Sequence, residues 1–473
     1  MAGSSQPRTV LEQLIREDGR SYDRLAAEFD DLARRRGIDA TISSKHLQRL
    51  ARRERSHESC RPGTRKAFEE MWGRRFGELF TEPVVTGDGN GDTAAVSTTL
   101  SYPRTVGDSI TALTQLTHDE LNPTDTAAKI LVVPEAWASL LVKAAYGKDE
   151  EAPAPADPVA LSVEHVQQVH DATEMFSTFD HRYGGGQSKP LVAQYLQTAV
   201  LPLLPQVSPA HAVGREYFKA VASLTLRAGW TAYDIGEHGY AQQYLYQAYR
   251  LSRAAGDRAF SGHVLACMSH QANFLGFYED ATYLARAAVH HGTTGGATPT
   301  TMALFHAMEA RALASQGNEP EATAALIAAE RWLGQSRPAN DPAWVWFFDA
   351  AELHAEFAHC FRDLGNAELA HTHAAASITE SKDVFVRSLS FCRSVLATSH
   401  LLANDLDQAL EVATGVIDTA AHLNSYRVVS YLNEFRQRLT TGFNSPAIDV
   451  FDDYFRTKLG SESSPVPGRI IVP

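Results

Sequence analysis

The chain has 473 residues, too many for one compact domain, and 44% of them are hydrophobic, enough to build real cores. Its formal net charge of −13, taken as an average, argues against a nucleic-acid coat. Four cysteines (Cys60, Cys267, Cys360, Cys392) stand far apart with no C-x-x-C pair, which excludes a disulfide scaffold and a zinc ribbon.

In chain order, residues 1–82 form a head of short helical runs. The first covers residues 9–17, with Val10, Leu11, Leu14 and Ile15 on one face. Ser21 is placed to cap a second run carrying Tyr22, Leu25, Ala26, Phe29 and Leu32, which Gly37 ends after Arg34, Arg35 and Arg36. Thr41 or Ser43 caps a third, SSKHLQRLARR, whose apolar side holds Leu47 and Leu50. The fourth, TRKAFEEMWGRRFGELF, is expected to bury Phe68, Met71 and Trp72. Two stretches without helical periodicity follow, 83–101 and 147–158, and read as linkers around a short helical bridge at 102–146. A long helical block spans 159–459, and 460–473 reads as a disordered tail. No stretch is a secretory signal or long enough to span a membrane, so the expected location is cytoplasmic, with no membrane partner.

Charge divides unevenly between these parts. Residues 34–75 hold 13 basic and 5 acidic side chains, a net +8, whereas residues 81–473 hold 26 and 43, a net −17. A polar, basic third helix after two others is what a helix-turn-helix needs, since its recognition helix enters the major groove N-terminus first. Ser43, Ser44, Lys45, His46, Gln48, Arg49 and Arg52 are the candidate contacts to double-stranded DNA. The bland alternative is a solvated basic helix without a partner. The motifs S-Y-x-x-L-A (from Ser21), I-S-S-K-H-L-Q-R-L (from Ile42) and R-P-G-T-R-K-A-F-E-E-M-W-G (from Arg61) are similar to the head of actinobacterial-type transcriptional regulators that carry tetratricopeptide repeats. The connection through residues 30–39 is longer than the usual helix-turn-helix turn.

The long block is internally repetitive. Gly236, Gly276, Gly317, Gly365 and Asn404 recur 39 to 48 residues apart. Five residues beyond each stands an alanine: Ala241, Ala281, Ala322, Ala370 and Ala409. Gly229, Ser269, Ala310, Ala358 and Ala397 stand seven before, on the same side of a helix. Glycine at each turn and small residues where helices cross describe stacked helical hairpins. This pattern resembles the tetratricopeptide repeat, with a longer period, and implies an all-α fold: a helix-turn-helix head joined by linkers to an α-solenoid. A first hairpin (163–179 and 191–204) and a closing pair (427–439 and 447–459) flank the repeats.

In that repeat family, positions three, six and thirteen before the turn line the concave face. Transferred here, they give Tyr233, Asn273 and Arg362; Trp230, His270, Arg311 and His359; and His263 and Glu352. Such a mixture suits a short peptide or small-molecule effector, with Arg311 or Arg362 taking a carboxylate. The competing reading is that these side chains only pack between repeats. Nineteen histidines supply no H-E-x-x-H frame, and Gly184-Gly185-Gly186 lacks phosphate-loop spacing and reads as a hairpin loop. No metal, cofactor or catalytic set is expected, and Trp344 and Trp346 read as core. The resemblance implies a homodimeric, peptide-receptor-like transcriptional regulator. The alternative is a protein-interaction scaffold whose head does not bind DNA.

Overall fold

The computed structural model describes residues 7–54, 57, 60–72, 76–81, 100, 102–103, 105–123, 130–146 and 161–460. It is all-helical, with no strand among the described residues. Apart from Leu100, the expected linkers 83–101 and 147–158 lie outside them, as does the expected tail beyond residue 460.

The head holds α1 (Val10–Asp18), α2 (Tyr22–Arg35), α3 (Ser44–Ala51), α4 (Pro62–Trp72) and α5 (Phe76–Leu79). Thr9, Ser21 and Ser43 cap the first three, each hydroxyl accepting from an amide of the first turn. Gly37 takes the left-handed backbone at φ +63° that turns the chain away from α2. The Asp30 carboxylate accepts from the Ile42 amide at 2.7 Å, so the long connection to α3 is tied down rather than loose. Leu11, Leu25, Phe29, Leu47, Leu50 and Phe68 make one core. Met71 and Trp72 sit at its edge, only half-buried.

Two helices follow, α6 (Val106–Leu121) and α7 (Pro134–Tyr146), then α8 (Val163–Tyr183) and α9 (Gly185–Tyr195). Gly184 makes the turn at φ +86°, but Gly185 and Gly186 already belong to α9, so the glycine run starts a helix where a loop was expected. Five antiparallel hairpins come next: α10–α11 (Ala212–Asp234, His238–Ala254), α12–α13 (Arg258–Phe274, Tyr278–Gly295), α14–α15 (Pro299–Ser315, Glu319–Leu333), α16–α17 (Ala350–Asp363, Ala367–Glu380) and α18–α19 (Val386–Leu402, Leu406–Ala420). The pair α20–α21 (Tyr426–Gly442, Pro446–Leu459) closes the series. All five turn residues have positive φ, 84°, 84°, 74°, 77° and 60° from Gly236 to Asn404. The alanine five residues after each is fully buried, where a larger side chain would push the paired helices apart.

The bridge is not a tether. Leu113, Leu116, Trp137 and Leu140 are buried in the same core as the hairpins. Gln242 of α11 grips the strap before α7 through its side-chain amide, accepting from the Val133 N–H at 2.8 Å and donating to its carbonyl at 2.9 Å. Gly239 is required here, because a Cβ at this position would strike the Ile130 carbonyl.

The series of hairpins also meets its own beginning. Arg387 of α18 donates to both oxygens of Asp180 on α8, at 2.6 and 2.8 Å, although the two lie 207 residues apart. Ser425 and Arg427 donate to Asp234 on α10 at 3.0 and 3.1 Å. The Asn424 carbonyl accepts from the Gly186 amide at 3.0 Å. The repeats therefore close into a ring, and the concave face expected from the sequence becomes the lining of an interior.

Candidate functional site

Two adjoining cavities occupy that interior. The first encloses about 1020 Å³ of space, its mouth included, and Trp230, Tyr233, His263, His270, Arg311, Glu352 and His359 all line it. The second, about 830 Å³, is lined by Asn273 and Arg362 and shares His270, Phe274, Arg311 and Tyr431 with the first. All nine candidate ligand residues thus come together around one continuous space.

The same helical face contributes residues that positions three, six and thirteen do not reach. Arg227, Cys267, Met308 and Glu356 each stand nine before a turn glycine and line the first cavity. Offsets of thirteen, nine, six and three follow one α-helical face, so simple periodicity was enough to find them. Arg387, Arg427 and Tyr431 also line it, and no repeat offset singles them out. Trp344, half-buried, stacks on His263 with ring centres 4.5 Å apart. Trp346, expected as core, is 40% exposed and stacks on Phe385, because α16 starts only at Ala350 and leaves it on a surface turn.

Buried charge in the wall is balanced locally. Asp180 takes Arg387 and, at 3.2 Å, Arg227; Asp234 takes Arg387 at 3.2 Å and Arg427 at 3.1 Å. Arg311 pairs with Glu356 at 2.9 Å. The Arg427 guanidinium also lies over Phe391 and Tyr233, 4.6 and 4.7 Å from the ring centres. Tyr233 and His270 are joined by a 2.8 Å hydrogen bond between the phenol oxygen and Nδ1. Burial, reinforced by the neighbouring arginines, holds His181, His270 and His359 well below the usual histidine range, and His263 down to about 3. These imidazoles are neutral hydrogen-bonding groups at pH 7. Burial raises the Cys267 and Cys392 thiols to about 12, so neither is a ready thiolate nucleophile.

Glu352 behaves in the opposite sense. Burial, with Glu356 and Asp349 nearby, pushes its carboxyl up to about 8, so at pH 7 it is mostly a neutral donor facing the cavity. The folded state then holds a proton that the unfolded chain releases near pH 4.5, and this group subtracts stability as pH rises towards 8. The buried histidines do the reverse: unfolded they gain protons below pH 6.5, so they subtract stability as pH falls. Thermal midpoints should therefore peak near neutrality and decline on both sides. In Glu352→Gln the alkaline decline should be shallower; an unchanged profile from pH 6 to 9 would count against a raised Glu352 pKa.

On the head, Ser43, Lys45 and Arg49 are exposed and Ser44, His46 and Gln48 half-buried along α3. Ser43 is committed to capping, its hydroxyl accepting from the His46 amide at 3.3 Å. Arg52 turns towards α1, with Nε 3.9 Å from a Glu12 oxygen, while its carbonyl accepts from Arg8 at 3.2 Å. Lys45 and Arg49 are therefore the outward cations of this helix, and Arg52 helps to hold α3 on α1.

Head and ring touch beside the second cavity. The Ser21 amide donates to the Leu275 carbonyl at 3.3 Å, and Arg24 Nη1 donates to the Phe274 carbonyl at 2.6 Å. Gly276 fits under this contact, since a Cβ there would lie 2.9 Å from Arg24 Cδ. Arg24 itself lines the second cavity.

Among the described residues no helix is long and apolar enough to cross a membrane, and no group of three or more His, Cys, Asp or Glu is arranged to hold a metal ion. The chain matches no protein-family model and no curated protein sequence.

Proposed function

We propose that the chain is a DNA-binding transcriptional regulator whose ring of tetratricopeptide-like hairpins senses an effector and passes its occupancy to a helix-turn-helix head. The observation that carries this reading is the head contact: the helix preceding the basic α3 is anchored by Ser21 and Arg24 to the turn beside the second cavity. Lys45 and Arg49 are exposed and are the residues we assign to the DNA surface, with Ser44, His46 and Gln48 at its edge and Ser43 and Arg52 in support. A homodimer would bring two such helices to half-sites about one duplex turn apart. Ring closure favours a compact effector over a long extended peptide, because the ion pairs of Asp180 and Asp234 join the two ends of the series of hairpins.

Selection of duplexes from a random-sequence library by the full-length chain tests the DNA role. A defined motif should emerge, with binding that weakens as salt rises. Lys45→Ala and Arg49→Ala should each lower affinity by about tenfold, and a substitution that removes a phosphate contact should also reduce the salt slope by about one. Recovery of no motif, or variants that bind as well as the parent, would overturn this reading in favour of the scaffold.

A further inference from the structure

The two cavities differ in chemistry. The first is walled by Leu226, Leu304, Met308, Phe347 and Phe391, and its arginines are held by acidic partners. The second is polar: Arg362 pairs with Asp363 at 2.5 Å, Arg438 with Glu434 at 2.9 Å and Arg311 with Glu356, while Arg24 adds a fourth guanidinium beyond these pairs. Burial alone would raise the Glu434 carboxyl, but Arg362, Arg438 and Arg24 hold it down at about 2, a sign of how cationic this compartment is. Hydrogen-bonding capacity is also left over. Among the described residues, the buried Ser430 hydroxyl, Arg311 Nε and the side-chain oxygen of Asn273 have no hydrogen-bond partner. A buried polar group left unmatched is costly, and a ligand atom at this place would satisfy it.

We propose that the interior binds a compact amphiphilic carboxylate, its aryl or alkyl body in the first cavity and its anionic end among Arg24, Arg362, Arg438 and Ser430 in the second. This deepens the sensing role proposed above and rests on it. Arg24 belongs to the head, whereas Arg362, Arg438 and Ser430 belong to α16 and α20 of the ring. One carboxylate held by both would tie the head to the ring, so occupancy and head docking become a single event. Binding energy is then divided between filling the cavity and fixing the head, which gives the effector a differential grip on the docked state.

The test uses the full-length chain without DNA, so its failure and failure of the DNA-binding proposal are separate results. 4-Phenylbutyrate, 4-phenylbutanamide and inorganic phosphate serve as probes in calorimetric titration, with peptide-level hydrogen exchange across Ser21–Arg24. Phenylbutyrate should bind, the uncharged amide at least tenfold more weakly, and phosphate, lacking an apolar body, also more weakly. Arg24→Gln and Arg362→Gln should each weaken phenylbutyrate binding by about tenfold. Bound ligand should slow exchange at Ser21–Arg24 in the parent but not in Arg24→Gln. Absence of phenylbutyrate binding, equal binding of the amide, or phosphate binding as tight as phenylbutyrate would overturn the two-compartment site. Exchange slowed equally in Arg24→Gln would overturn the link to the head. Each variant is first checked for an unaltered thermal midpoint, and Arg438→Gln replaces any that fails.

Discussion

Arg387→Met is expected to cost the ring about 3–5 kcal/mol, read as a lower urea midpoint, and to open it. The guanidinium is almost wholly buried and gives two hydrogen bonds to Asp180 and one ion pair to Asp234. Truncation leaves Arg227 as the cation paired with Asp180 and Arg427 as the cation paired with Asp234, whose remaining hydrogen bonds come from neutral Ser425 and Gly185, so each fully buried carboxylate is under-compensated. Most of the loss comes from those stranded carboxylates rather than from the attraction removed. Hydrogen exchange at the Asn424–Gly186 junction should quicken in parallel. A loss below about 1 kcal/mol with exchange unchanged would show that ring closure rests elsewhere.

Trp137→Ala is expected to cost about 3–5 kcal/mol. The indole is fully buried and meets Phe277 edge-on at 5.5 Å between ring centres, so its removal opens a void that α11 and α13 cannot fill without moving. Were α7 only part of a tether, as its place between two linkers suggested, the change would stay within about 0.5 kcal/mol. Urea unfolding of the variant beside the parent separates these outcomes.

The parts of the fold that were legible are those written locally. The turn glycines and Asn404 announced themselves because only a few residue types accept positive φ, and the buried alanines because only a small side chain lets two helices cross closely. Ser21 and Ser43 were readable as caps for a similar reason: the signal lies within four residues. The nine groove candidates came from the resemblance to the tetratricopeptide repeat, and all lie on the cavity wall because a helix's period keeps those offsets on one face. What was hidden is what depends on distant partners. Nothing near Asp180 announces Arg387, and nothing near Ser21 announces Leu275, so closure of the ring and docking of the head left no pattern to read. The bridge escaped for a related reason. Its apolar residues are there to be read, but nothing in them names α11 and α13 as the surfaces they cover.

The ring closure also sets a timetable for making the protein. At roughly 5–20 residues per second, a ribosome that has just finished Asp180 needs on the order of 10–40 s to reach Arg387, its partner 207 residues later. Until Arg387 emerges, Asp180 and then Asp234 lack that partner and favour staying in water, so the nascent half-ring remains ajar. Its last stitch waits for Asn424, Ser425 and Arg427, near the end of synthesis. The interior thus exists only once nearly the whole chain has emerged.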